Sequence, residues 1–265
     1  MITSTANQQV KNLVQIQKKG KIRREQDVFV VEGLKMYQEA PGERLVKTYV
    51  SESFYKKQEK SDIWRGEPLE ILADRVFEAA ADTKTPQGIL SLVRQSHFSL
   101  SEVMEGDKPL LMVIENLQDP GNLGTILRTG EGAGVTGVIL SSDTVDIYNP
   151  KTIRSTMGSV YRVPFCYAED MSWVMDELKR RGIVSYAAHL KGISAYDGQD
   201  YRGGTAFLIG NEGNGLSEEL AGLADTYIRI PMCGKVESLN AAVASAVLLY
   251  EAQRQRRVTA TTQTE

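Results

Sequence analysis

A chain of 265 residues, 42% hydrophobic and 25% charged, has the proportions of globular protein and the length to bury one large core or two small ones. Mean hydropathy is −0.27, and no stretch approaches the run of about 18 apolar residues that a membrane span needs, so no membrane partner is expected. Cys166 and Cys233, with His97 and His189, are too few and too scattered for a disulfide framework or a structural zinc site; no metal is expected, and a reducing cytoplasm is the expected compartment.

The net charge of −3 is unevenly shared. Residues 1–98 carry 16 basic and 13 acidic side chains, whereas residues 99–265 carry 15 and 21. Within residues 1–24, Lys11, Lys18, Lys19, Lys21, Arg23 and Arg24 stand without a single acid. Such a cluster is either a phosphate-attracting field or a solvated basic surface. The same stretch has no apolar core and does not read as a secretory leader.

In chain order, Val10, Leu13, Val14 and Ile16 predict a helix over residues 7–19, broken by Gly20. A strand follows at 28–33, a short helix around 34–39 and a second strand at 46–51. Residues 68–82 read as a strand running into a helix, and 88–94 as a closing strand. This predicts a small α/β domain over residues 1–98, followed by a linker at 99–108. From residue 109 the pattern alternates. Strands are predicted at 110–116, 137–140, 163–168, 183–189, 206–210 and 227–231, and helices at 120–133, 150–158, 170–181, 217–224 and 238–255. Apolar strands alternating with helices imply an α/β domain over residues 109–265 with a mostly parallel sheet covered on both faces.

Three turns rich in Gly and Asn each follow a strand of this second domain: ENLQDPGNLGTILRTGEGAG (115–134), LIGNEGNGLSEEL (208–220) and RIPMCGKVESLNAAVASAV (229–247). Loops beyond the carboxyl ends of parallel strands are where such proteins bind ligands, so the three turns predict one shared pocket. Gly132, Gly134 and Gly137 spell G-x-G-x-x-G, but after a helix and before a strand, the reverse of the dinucleotide context. A nucleotide-dependent oxidoreductase is therefore not expected.

Taken together, Asn122-Leu-Gly124-Thr-Ile-Leu-Arg128-Thr129, Gly210-Asn211-Glu212-Gly213-Asn214-Gly215-Leu216-Ser217, and Ile230-Pro231-Met232 with Ser238-Leu239-Asn240 resemble the SpoU/TrmH family of RNA ribose 2'-O-methyltransferases, of the SPOUT superfamily. The resemblance covers residues 108–256. Residues 1–98 are more weakly similar to the ribosomal-protein-like substrate-binding domain that some members carry. The resemblance implies a C-terminal trefoil knot, S-adenosylmethionine as cofactor, a homodimer, and RNA as substrate, with rRNA ahead of tRNA. It implies Leu208, Gly210, Asn211, Gly215, Ile230, Met232 and Leu239 as the cofactor-binding set, with Gly210, Ile230 and Leu239 acting mainly through main chain.

Among the polar side chains of the three turns, Asn122, Arg128, Glu212, Ser238 and Asn240 form the catalytic set. The resemblance makes Arg128 the catalytic residue. A guanidinium rarely gives up its proton, so a phosphate clamp and a general base both stay open for it. Glu212 can orient Arg128 or Asn122; Ser238 and Asn240 can also cap the last helix. Arg154 and Ser159 are secondary candidates. The alternatives are a catalytically silent RNA-binding protein of the same fold and a SPOUT enzyme that methylates a base.

Overall fold

The computed structural model describes residues 1–192 and 194–262, with side chains to residue 258, as two compact units. The first comprises Met1–Ser96 and Asp146–Tyr161; the second comprises His97–Val145 and the chain from Arg162.

In the first unit α1 (Gln8–Lys18) and α2 (Gly20–Gln26) lead into β1 (Val28–Glu32). Then come α3 (Leu34–Glu39), β2 (Leu45–Ser51), α4 (Glu52–Gln58), β3 (Leu69–Leu72), α5 (Asp74–Ala80) and β4 (Ile89–Arg94). The sheet runs β1-β4-β2-β3, with β4 antiparallel to both neighbours and β2 parallel to β3. One face is covered by Val10, Leu13, Ile16, Val76 and Phe77 from α1 and α5; the other packs Tyr37, Val50 and Ile89 with Phe54, Tyr55 and Trp64. The break between the first two helices falls at Lys19, which is extended, and Gly20 opens the second.

Residues 146–161, which lie beyond the predicted boundary at 109, belong to this unit. Tyr148 and Tyr161 stack against Phe29 at 4.5 and 6.4 Å between ring centres. Tyr161 Oη donates to the Met36 carbonyl at 3.0 Å. Strand–helix alternation records chain order, not which core an element joins.

The second unit opens on α6 (Leu100–Val103), a single turn inside the stretch expected to be a linker. Ser99 and Glu102 cap it reciprocally, and Val103 and Met104 enter the core. The remaining elements are β5 (Leu110–Ile114), α7 (Pro120–Ala133) and β6 (Gly137–Ser141), and then, after α8 (Pro150–Thr156) of the first unit, β7 (Phe165–Ala168) and α9 (Met171–Arg180). These lead to β8 (Val184–Ala188), β9 (Ser194–Ala195), β10 (Thr205–Ile209), α10 (Glu218–Gly222), β11 (Thr226–Arg229) and α11 (Ala241–Thr262).

Among the described residues the sheet order is β7-β6-β5-β10-β8-β11-β9, parallel throughout. One face packs on α6, α9 and α10 through Val103, Val174, Leu178 and Leu220. On the other side α11 packs along α7 and β10. Because the strands are buried on both faces, they read as unbroken apolar runs. From β5 the chain steps outward to β6 and β7, then crosses to β8 on the opposite side, with β10 inserted between β5 and β8. That reversal opens a crevice at the carboxyl ends of the central strands.

Candidate active site

A cavity of about 880 Å³ occupies that crevice. It lies beyond the carboxyl ends of β10, β8 and β11, and its walls come from residues 188–191, 209–216, 228–232 and 237–241. The second and third glycine-rich loops supply most of it. Two glycines are required by geometry. A Cβ on Gly210 would sit 2.1 Å from the Gly215 carbonyl carbon and the Leu216 nitrogen, so two strands of one loop cross there with no room for a side chain. Gly215 has φ +71°, a left-handed conformation that a side chain would strain. Gly213 shows neither constraint. Asn211 shapes the same loop: its Oδ1 accepts from the Gly213 and Asn214 amides at 2.8 and 3.2 Å.

The first loop docks on the second and third. Glu212 Oε1 accepts from the Asp119 amide at 2.9 Å and from Asn122 Nδ2 at 3.0 Å, while its Oε2 accepts from the Gln118 amide at 3.1 Å. Asn122 Oδ1 in turn accepts from Asn240 Nδ2 at 3.0 Å. Asn240 Oδ1 caps α11, accepting from the Ala242 and Val243 amides. Burial raises the Glu212 carboxyl, but the hydrogen bonds from Asn122 and the two amides outweigh it and hold the group below the usual carboxylate range. Asn211 Nδ2 adds a bond to the Asn116 carbonyl at 2.8 Å.

Gly210, Asn211, Gly215, Ile230, Met232 and Leu239 all line the cavity, as do Glu212, Ser238 and Asn240. Leu208 does not. It is wholly buried in the sheet core, registered against Val113 and Ala187, and the lining begins one residue later at Ile209. Both residues are buried, but the cavity opens at the carboxyl end of β10, so only the last residue of the strand reaches it. Asn122 meets the site through Glu212 and Asn240 rather than as part of the wall. Arg128 is exposed on α7, outside the wall. Arg154 and Ser159 lie in the first unit, where Arg154 pairs with Asp82 at 2.7 Å and Ser159 is buried. The last helix begins at Ala241, not Ser238, because Asn240 is its cap.

Arg23 corrects the reading of the basic cluster. It is 4% exposed, donates to Asp146 Oδ2 at 2.6 and 3.0 Å and to the carbonyls of Ile16 and Gln17, and so is spent inside the first unit. Lys11, Lys18, Lys19, Lys21 and Arg24 remain exposed.

His189 and Lys191 were not singled out by the sequence, yet they form a fourth wall of the cavity. His189 Nδ1 accepts from the Lys191 amide at 3.1 Å. Lys191 pairs with Glu218. The only signal for His189 was its place at the carboxyl end of a predicted strand. Cys166 is buried, with its thiol pushed up to about 11 by burial, while Cys233 is exposed on the third loop. Among the described residues no group of three His, Cys, Asp or Glu side chains is placed to hold a metal, and no helix is long and apolar enough to cross a membrane.

A parallel sheet with three interlocked glycine-rich loops at its carboxyl edge defines an α/β methyltransferase of the SPOUT class. Within that class the chain belongs to the SpoU rRNA methylase family, whose model matches residues 109–250. A model of the MRM3-like substrate binding domain matches residues 7–91. The 23S rRNA (guanosine(2553)-2'-O)-methyltransferase RlmP of Bacillus subtilis is 34% identical, over 94% of this chain and 97% of that one. A 23S rRNA (uridine(2479)-2'-O)-methyltransferase of Streptomyces viridochromogenes is 31% identical, over 72% and 69%. The AdoMet-bound rRNA methyltransferase from Sinorhizobium meliloti superposes with a TM-score of 0.82 at 29% identity, covering 96% of this chain and 97% of that one. The AdoMet complex of the SpoU methyltransferase AviRb from Streptomyces viridochromogenes gives 0.85 at 25% identity, covering 95% and 98%.

Proposed function

We propose that the cavity binds S-adenosylmethionine and that the enzyme methylates a ribose 2'-hydroxyl of RNA, with rRNA the substrate ahead of tRNA. The observation that carries this reading is the Glu212–Asn122–Asn240 chain, which joins all three loops into one polar edge beside the cavity.

The residues present suit the cofactor. Ile230, Met232 and Leu239 offer an apolar slot for adenine. Residues 230–239 carry neither helix nor strand, and no described residue hydrogen-bonds their backbone, so their N–H and C=O groups are available to a ligand. The crossing at Gly210 lets main chain approach closely. When bound, S-adenosylmethionine supplies an electrophilic methyl group on a sulfonium.

A 2'-hydroxyl is a weak nucleophile, so the chain must align its oxygen and manage its proton. Glu212 fixes Asn122 and, through it, Asn240, so these amides face the substrate in one orientation. Arg128 is the phosphate clamp in this reading, since its guanidinium offers a planar fork to a phosphodiester. Ser238 contacts the ribose in this reading, which its position on the wall beside Asn240 supports. The first unit grips RNA through exposed Lys11, Lys18, Lys19, Lys21 and Arg24.

The reading includes three further elements. A homodimer through α11 is supported by Val243 and Tyr250, seven residues apart and each about half exposed on one stripe of that helix. A C-terminal trefoil knot is what the likeness to the SpoU family implies. A cytoplasmic location fits an enzyme whose substrate is rRNA.

The test is transfer of labelled methyl from S-adenosylmethionine to rRNA, with the product nucleotide mapped. A 2'-O-methyl removes the neighbouring nucleophile and makes its phosphodiester resistant to alkali. Methyl on a base, or no transfer together with no cofactor binding by calorimetry, overturns the reading. Arg128→Ala is expected to lose roughly a hundredfold or more in kcat with cofactor affinity unchanged, because alignment acts mainly in the transition state. With Arg128→Lys, partial activity that follows RNA affinity marks the clamp, and activity that climbs towards alkaline pH marks a base.

A further inference from the structure

Glu115 stands directly after β5 and is absent from the cavity wall, yet it touches both ends of the loop that forms the cavity floor. Its main-chain amide donates to the Ile209 carbonyl at 2.9 Å, where the 210–216 loop begins. Its carboxylate accepts from the Ser217 amide at 2.7 Å through Oε2 and from Ser217 Oγ at 2.7 Å through Oε1, where the loop ends. Ser217 Oγ also accepts from the Leu220 amide at 3.1 Å and so caps α10. One residue just beyond β5 thus closes the loop like a clasp.

We propose that Glu115 is a positioning residue for cofactor binding: its forked bond to Ser217 holds the 210–216 loop at the width that the ligand requires. The proposal rests on the assignment of the cavity to S-adenosylmethionine. The loop needs such a device. Asn211 and Glu212 tie the first half of the loop to residues 116–122, and a bridge joins Asn211 to Gly215, but the second half is anchored outside the loop at Ser217. Where Ser217 goes, Gly215 and Leu216 follow, and both line the cavity. A charged acceptor makes the stronger kind of hydrogen bond, and two of them on adjacent donors fix direction as well as distance. The loop is then ordered before a ligand arrives, which lowers the entropy cost of binding.

Glu115→Ala removes both bonds, whereas Glu115→Gln keeps them, because its amide oxygen still accepts from the Ser217 amide and its NH2 can donate to Ser217 Oγ. Calorimetry of the full-length protein should show S-adenosylmethionine affinity falling roughly tenfold in Glu115→Ala, the scale of one to two lost charge-assisted bonds, and returning to within about threefold of wild type in Glu115→Gln. At saturating cofactor kcat should stay within about threefold of wild type, so the effect is on KM for the cofactor. Hydrogen exchange of the ligand-free protein should speed up across residues 210–217 in Glu115→Ala and not elsewhere in the sheet. Unchanged affinity in Glu115→Ala, equal losses in both variants, or an equal fall in kcat overturns the proposal. If the wild type binds no S-adenosylmethionine, the cofactor assignment fails by itself; the exchange rates still decide whether Glu115 holds the loop.

Discussion

The Asn240 amide donates to Asn122 Oδ1 at 3.0 Å, joining residues 118 positions apart. Asn122 gives its own amide to Glu212 and is left with one orientation. The side chain is thereby locked from both ends, and the three loops behave as one rigid edge.

Asn122→Ala removes the middle of that chain. We expect kcat to fall at least about tenfold, because the Asn240 amide and the Glu212 carboxylate each lose a partner while the cavity wall stays intact. Single-turnover methylation checks this, with cofactor affinity staying within about threefold of wild type.

Glu212 predicts an acid limb. Its carboxyl is held below 4.5 in the folded protein, so the stabilisation it gives is present above that value and is lost as pH falls through the lowered value. Loop order and cofactor affinity should therefore collapse under acid. Glu212→Gln should abolish this limb while weakening binding at neutral pH. Calorimetry across an acidic pH series separates the two outcomes.

Gly210→Ala should eliminate cofactor binding. The added Cβ meets backbone atoms, not the end of a flexible side chain, so the loop must open. The corresponding change at Gly213, where a Cβ meets only Asn211 Oδ1 at 3.4 Å, should be tolerated. Affinity measured on both variants tests the contrast.

Arg23→Ala should cost about 3 kcal/mol of stability, since Asp146 loses its buried partner and two carbonyls lose their donor. It should leave the salt dependence of RNA binding unchanged. Replacing Lys18, Lys19, Lys21 and Arg24 together should do the reverse, flattening the slope of log affinity against log salt with little loss of stability. Urea unfolding and RNA titrations at several salt concentrations distinguish the two.

Arg256→Met should destabilise the second unit by about 2–3 kcal/mol, because four carbonyl acceptors lose one charged donor. Denaturant unfolding gives the value directly.

The sequence by itself determined the parallel sheet and the placement of its loops. Unbroken apolar strands require cover on both faces, and the three glycine-rich turns follow strands, so they had to gather at one edge. It also determined most of the cavity wall, since Gly210, Gly215 and Ile230 sit in motifs whose spacing is local. Only the tertiary structure decided the partners. Arg23 sits in a basic run and looks solvated until Asp146, 123 residues later, buries against it. Leu208 and Ile209 are neighbours on one strand and both buried, and only the fold places the end of the cavity at Ile209. Glu115, His189 and the docking of residues 146–161 on the first unit left no local pattern. Hydrogen bonds between distant loops depend on where strands bring them, and periodicity along the chain carries no record of that.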